Sequence, residues 1–179
     1  MKTYIALLRG INVGGNKKIL MADLRNLLTE IGLQRVKTYI QSGNVIFQSK
    51  ESSIKKLELL IHQSIKNLFG FDVPVLIKTP EDLQTIFNNC PFSQEQKTQS
   101  YFTFLYTVPS KKLAKEVSQI SYVNETFTIT NTCVYFYCST GYGKSKCSNN
   151  FFERKLNVTA TARNYKTMVK LLSLSTDLK

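Results

Sequence analysis

The amino-acid sequence predicts an α+β protein, and three observations carry that reading. Runs rich in β-branched and aromatic residues alternate with amphipathic stretches in the order β-α-β-β-α-β, over residues 1–92 and again over 101–179, with an extra helix after each round. A polar stretch, Ser93–Ser100, separates the rounds as a linker. The closing pieces also run in step, V-L-I-K-T-P-E-D-L-Q-T-I-F beside A-T-A-R-N-Y-K-T-M-V-K-L-L. This order is that of the split β-α-β unit, so the predicted fold is a duplicated pair of ferredoxin-like halves. The duplication rests on element order, because no residue-level identity survives.

Each element has its own reason. Thr3–Arg9 reads as a strand, and Met21–Ile31 as a helix whose Leu24, Leu27, Leu28 and Ile31 form one stripe, closed by Gly32. Strands at Val36–Ile40 and Asn44–Gln48 flank a tight turn at Ser42-Gly43. Ser52 or Ser53 caps a long helix that buries Ile54, Leu57, Ile61, Ile65 and Leu68. Val73–Thr79 is a strand, and Thr79-Pro-Glu-Asp opens a helix with threonine as cap and proline at its first position. The second round has strand Tyr101–Thr107, helix Ser110–Ile120 and strands Thr126–Thr130 and Cys133–Cys138. It continues with helix Asn149–Leu156, strand Val158–Ala162 and a last helix from Asn164 to about Ser173.

Composition sets the outer bounds. At 179 residues, 42% hydrophobic, the chain can bury a core without metal or disulfide. Its net charge of +12 is spread over both halves, +5 over residues 1–90 and +7 over 91–179, so no basic tail carries it. Such a surface attracts polyanions, and a merely solvated lysine-rich surface is the plain alternative. Cys90, Cys133, Cys138 and Cys147 show no metal-ligand spacing and His62 is the sole histidine, which argues against zinc. Cys133 and Cys138 point to opposite faces of one strand, so free thiols in a reducing cytosol are expected. There is no leader-like N-terminus and no membrane-spanning run, so the expected location is cytoplasmic.

The polar motifs point to anion binding. Arg9-Gly-Ile-Asn-Val-Gly-Gly-Asn-Lys17 follows the first strand, and its glycines free backbone N–H groups beside two cations. In a split β-α-β unit this loop and the hairpin Gln41-Ser-Gly-Asn44 emerge at one end of the sheet. In the second half the decorated end is the opposite one, with Gly141-Tyr-Gly-Lys-Ser-Lys146 and Ala162-Arg-Asn164. The expected site is therefore a cleft shared by both ends. Arg9, Asn12, Asn16, Lys17, Gln41, Ser42 and Asn44 would come from the first half; Lys144, Ser145, Lys146, Arg163 and Asn164 would come from the second. The bland alternative is two unrelated turns.

Other chemistries fit less well. Gly141-Tyr-Gly-Lys-Ser145 resembles the tail of a phosphate-binding P-loop, but Cys138 stands where the first glycine is required. Proton-transfer groups near the decorated ends are limited to Glu153, Tyr39 and Tyr142. Cys147 would be a nucleophile only if Lys144, Lys146 and the helix start lowered its pKa, and a buried thiol is the commoner outcome. His62, opposite the apolar stripe with Glu58 and Lys66, reads as a surface residue. The aromatic strands Tyr101-Phe-Thr-Phe-Leu-Tyr106 and Val134-Tyr-Phe-Tyr137 raise base stacking, but without the signature of an RNA-recognition strand they read as core.

The motifs L-R-G-I-N-V-G-G-N-K, T-Y-I-Q-S-G-N-V-I-F, F-G-F-D-V-P-V, G-Y-G-K-S-K and T-A-R-N-Y-K-T, in this order, resemble the bacterial domain-of-unknown-function family DUF1697. The resemblance covers nearly the whole chain and implies a cytoplasmic bacterial α/β protein with two ferredoxin-like halves, but no activity. Ile19-Leu20, Cys147 and Tyr165 depart from its pattern, which weakens any catalytic role for the cysteine. The expected function is binding of a small anionic ligand (phosphorylated, nucleotide-like or carboxylated), with transferase-like chemistry at most. The alternatives are nucleic-acid binding through the basic surface and a protein–protein module. Neither cofactor nor metal is called for.

Overall fold

The structure is a computed structural model that describes residues 1–177. Among those residues it has two four-stranded antiparallel sheets and seven α-helices. The chain divides into two compact units: Met1–Thr85 together with the chain from Lys170 onward, and Ile86–Val169.

The first unit contains β1 (Lys2–Leu8), α1 (Met21–Glu30), β2 (Gln34–Tyr39), β3 (Asn44–Ser49), α2 (Ile54–Phe69) and β4 (Val75–Lys78), with sheet order β2-β3-β1-β4. Every residue of β1 from Tyr4 to Leu8 is buried, so both faces of this central strand are covered. Tyr4, Ala6 and Leu8 share one face by strand alternation, and they pack with Leu24, Leu28, Leu57, Ile61 and Ile65 of the two helices. Ser53 Oγ accepts from the Lys56 N–H to cap α2, and Gly70 closes that helix at φ 73°. Leu68 departs from the expected buried stripe and is 59% exposed, and its neighbour Phe69 packs against the core in that last turn instead.

In the loop after β4, Thr79 Oγ1 accepts from the Asp82 N–H while Asp82 Oδ2 accepts from the Thr79 N–H. This reciprocal capping starts α3 (Pro80–Asn88) with proline in its first turn, as the sequence indicates. The expected linker holds a short helix, α4 (Gln94–Thr98), capped by Ser93. Its Ser-x-Glu-Gln start carries the signal.

The second unit continues with β5 (Tyr101–Leu105), α5 (Lys111–Ser118), β6 (Glu125–Ile129), β7 (Cys133–Cys138), a 3₁₀ turn (Tyr142–Lys144), α6 (Asn149–Leu156) and β8 (Ala160–Asn164). The last helix, α7 (Tyr165–Thr176), begins here, and the sheet order is β6-β7-β5-β8. Phe102, Phe104, Tyr135 and Phe136 are all buried. Phe87 stacks on Phe102, and Tyr135 donates its hydroxyl to the Ile86 carbonyl, so the end of α3 lies on this sheet. These four aromatic side chains are core, while Tyr101, Tyr106 and Tyr137 are half-buried. The final strand starts two residues later than expected, because Asn157 ends α6 in the left-handed conformation at φ 53° and the chain needs Val158 and Thr159 to reach the sheet edge.

Candidate functional site

The two polar segments of the first unit do meet. The Leu8 N–H donates to the Gly43 carbonyl at 2.8 Å, which joins the end of β1 to the β2–β3 turn. Asn12 completes the junction with one side chain. Its Nδ2 donates to the carbonyls of Ile19 and Gln41, both at 2.9 Å, and its Oδ1 accepts from the Ile19 N–H at 2.9 Å. Asn12 sits at φ 54°, a conformation asparagine tolerates better than most residues. It is thus the fastener of the loop, with its hydrogen-bonding capacity spent on backbone.

Beyond Asn12 the loop is a small hairpin. Asn12 N–H donates to the Lys17 carbonyl, and Val13 bridges Asn16 around Gly14 and Gly15. Both glycines have positive φ, 56° and 79°, as a mirror-image two-residue turn requires. They are exposed at the tip, and no protein acceptor among the described residues takes their N–H groups. Gly43 is demanded more strictly, since a Cβ there would stand 2.6 Å from Leu8 Cβ. Asn44 is fully buried and donates to the Tyr39 carbonyl and to Ser42 Oγ, so it too is structural.

A third segment belongs to this end and escaped the sequence reading. The loop between α2 and β4 reaches the same place: the Arg9 N–H donates to the Pro74 carbonyl, and the Lys17 ammonium donates to the Asp72 carbonyl. The Asp72 carboxylate pairs with His62 at 2.6 Å, and this hydrogen bond is the main cause holding its pKa below the ordinary value. His62 is on the surface as expected, but it has a partner. The signal was available: in this strand order the α2–β4 loop must emerge beside the β1–α1 loop.

The second unit gathers its decorated segments at one end as well, with a different outcome. The carboxylate of Glu125, at the start of β6, accepts from the N–H of Lys146 at 2.7 Å and of Cys147 at 2.9 Å. Burial pushes the Glu125 pKa up, but these two N–H groups, the Cys147 thiol and the Lys146 ammonium outweigh it, and the net shift is downward. The glycine-rich loop therefore holds an anion that belongs to the chain itself. The Lys146 ammonium sits 5.2 Å from the centre of the Tyr122 ring, and Ser145 Oγ is buried without a hydrogen-bond partner among the described residues. Tyr142 stacks on Tyr101 and accepts from the Asn149 N–H.

Three of the expected chemical groups have structural employment instead. Arg163 does not lie in a loop but within β8, 6% exposed, where it donates to Thr161 Oγ1 and the Ala162 carbonyl. Asn164 Oδ1 caps α7 through the Thr167 N–H. Glu153 Oε1 accepts from the Ala160 N–H at the start of β8, just as Glu58 Oε1 accepts from Ile77 in the first unit. Cys147 is fully buried, and burial first, then the hydrogen bond to Glu125, pushes its pKa up to about 12. It is no nucleophile at neutral pH.

Two surface hollows of the first unit, about 440 and 330 Å³, border Pro80 and Glu81 at the other end of its sheet and touch none of the expected site residues. Among the described residues no cluster of three metal-ligating side chains occurs, and no helix is long and apolar enough to cross a membrane.

The model of a family of proteins of unknown function, DUF1697, matches residues 1–135. The chain belongs to the DUF1697 family. The matched span takes in the whole fastened end of the first unit and stops short of the Gly141–Lys146 loop. A conserved bacterial protein from Streptococcus pneumoniae, of known structure, is similar over 97% of this chain and 98% of its own, at 26% identity and a TM-score of 0.76. No curated protein matches this DUF1697 chain.

Proposed function

We propose that this DUF1697 protein is a binding protein whose first unit takes an anionic ligand, phosphorylated, nucleotide-like or carboxylated, at the end formed by Arg9–Lys17 and Gln41–Asn44. The carrying observation is the loop tip. Gly14 and Gly15 present unclaimed N–H groups on a hairpin whose base Asn12 fastens, with Arg9 and Lys17 at its two ends. A backbone fixed before binding loses little entropy when a ligand arrives, and paired N–H groups beside cations suit an anion. Asn16 and Gln41 are exposed for contact and Arg9 and Lys17 add positive charge, while Asn12, Ser42 and Asn44 hold the frame.

Binding is favoured over catalysis because Glu153, Tyr142 and Cys147 are each committed to the fold. In the second unit, Lys144 and Lys146 add positive charge around a loop already seated on Glu125. The shared strand order of the two sheets supports reading residues 1–92 and 101–179 as duplicated ferredoxin-like halves.

Thermal unfolding with a panel of nucleotides and phosphosugars at millimolar concentration tests the proposal. A melting temperature that rises for at least one, and no longer rises in Arg9→Ala and Lys17→Ala, supports it. A flat response across the panel removes the small-ligand form of the reading.

A further inference from the structure

The same end of the first unit carries an apolar rim that binding a simple anion does not explain. Val13, Leu20 and Ile40 are 63%, 68% and 49% exposed. Each is the chain neighbour of a group that Asn12 joins: Val13 follows Asn12 itself, Leu20 follows Ile19, and Ile40 precedes Gln41. One half-buried side chain thus ties together the three chain segments that carry these exposed aliphatic side chains.

Ile40 adds an independent observation. It stands at φ 48°, in the left-handed region that a β-branched residue adopts only under strain. A turn needing this conformation is served by glycine or asparagine, so isoleucine here works against stability while half-exposing an aliphatic side chain. Core packing does not account for it.

We propose that this rim, with Arg9, Lys17 and Lys18 beside it, docks a segment of a partner polypeptide that presents carboxylates interleaved with aliphatic side chains. The inference rests on the anion-binding reading of this end and names its occupant. Charge complementarity selects an acidic partner, because the chain carries +12. Aliphatic rather than aromatic contacts select a polypeptide over nucleic acid, whose bases are gripped by stacking on aromatic rings or arginine planes.

The probes are three synthetic peptides and an oligonucleotide, measured by fluorescence anisotropy at 150 mM salt. The first peptide is an amphipathic Glu/Leu sequence, the second has its leucines replaced by serine, and the third is oligo-glutamate; the fourth probe is single-stranded oligothymidylate. The Glu/Leu peptide is expected to bind at least about tenfold more tightly than the other three, as loss of one well-buried aliphatic side chain implies. Leu20→Ser and Ile40→Gly are each expected to weaken it by about tenfold. Ile40→Gly is decisive, because it relieves the strained φ and should keep or raise the melting temperature while binding falls. Peptide affinity within twofold of wild type in both variants overturns the inference, as does equal or tighter binding of the oligonucleotide. If inorganic phosphate still shifts the Gly14 and Gly15 amides in that case, only the polypeptide partner is refuted; if neither probe engages this end, the anion-binding reading falls with it.

Discussion

Asn12 offers the sharpest test of how this end is built. Asn12→Ala deletes three hydrogen bonds of 2.9 Å and leaves the Ile19 N–H and the carbonyls of Ile19 and Gln41 to find water. At about 1 kcal/mol net for each bond the loss comes to roughly 3 kcal/mol, and part exposure of the site lowers it toward 2. Alanine must also adopt φ 54°, which adds about 1 kcal/mol relative to asparagine. The expected destabilisation is therefore about 3–4 kcal/mol, some 6–16 °C in melting temperature for a chain of this size. Asn12→Gly loses the same three bonds but not the backbone strain, so it should be about 1 kcal/mol more stable than Asn12→Ala. Urea unfolding followed by circular dichroism and tyrosine fluorescence measures both. An alanine variant within about 0.5 kcal/mol of wild type, or a glycine variant less stable than the alanine one, refutes the fastener argument.

Other consequences are as direct. Gly43→Ala must place a methyl 2.6 Å from Leu8 Cβ at φ 76°, and a loss of more than about 2 kcal/mol is expected in the same unfolding assay. Cys147 should resist iodoacetamide in the folded protein at pH 8 and react only on unfolding, since its thiol is fully buried and burial pushes its pKa well above that of a free thiol. Glu125 has a folded pKa below its unfolded one, so its contribution is present above about pH 4.5 and disappears as pH falls through the folded value. Glu125→Gln should accordingly flatten the acid limb of the stability–pH curve, and an unchanged limb would show that the N–H groups of Lys146 and Cys147 do not hold a carboxylate.

The order of strands and helices along the chain was legible because alternation and helical stripes report burial, and burial is what the sheets impose on Tyr4–Leu8 and Phe102–Phe104. The meeting of Arg9–Lys17 with Gln41–Asn44 was legible from topology alone. What each polar residue does there was not. Asn12 and Asn44 look like ligand-binding amides in sequence, yet they bond carbonyls that only the folded turn brings near. Arg163 looks like a loop cation because the last strand was placed two residues early, and the register opposite Phe102 buries it. Glu125 was missed because an acid opening a strand carries no motif, and its partners lie more than twenty residues along the chain. Ile40 gave no sign, since composition does not reveal φ.

Ligand binding at this end depends most on the exposed amides of the first loop taking an anion. Titrating the ¹⁵N-labelled protein with inorganic phosphate, while following backbone amide shifts, tests this residue by residue. Saturable shifts concentrated at Gly14 and Gly15, and lost in the Arg9→Ala, Lys17→Ala double variant, are the predicted result. Shifts spread over surface lysines with no saturation, or none between residues 9 and 18, would contradict it.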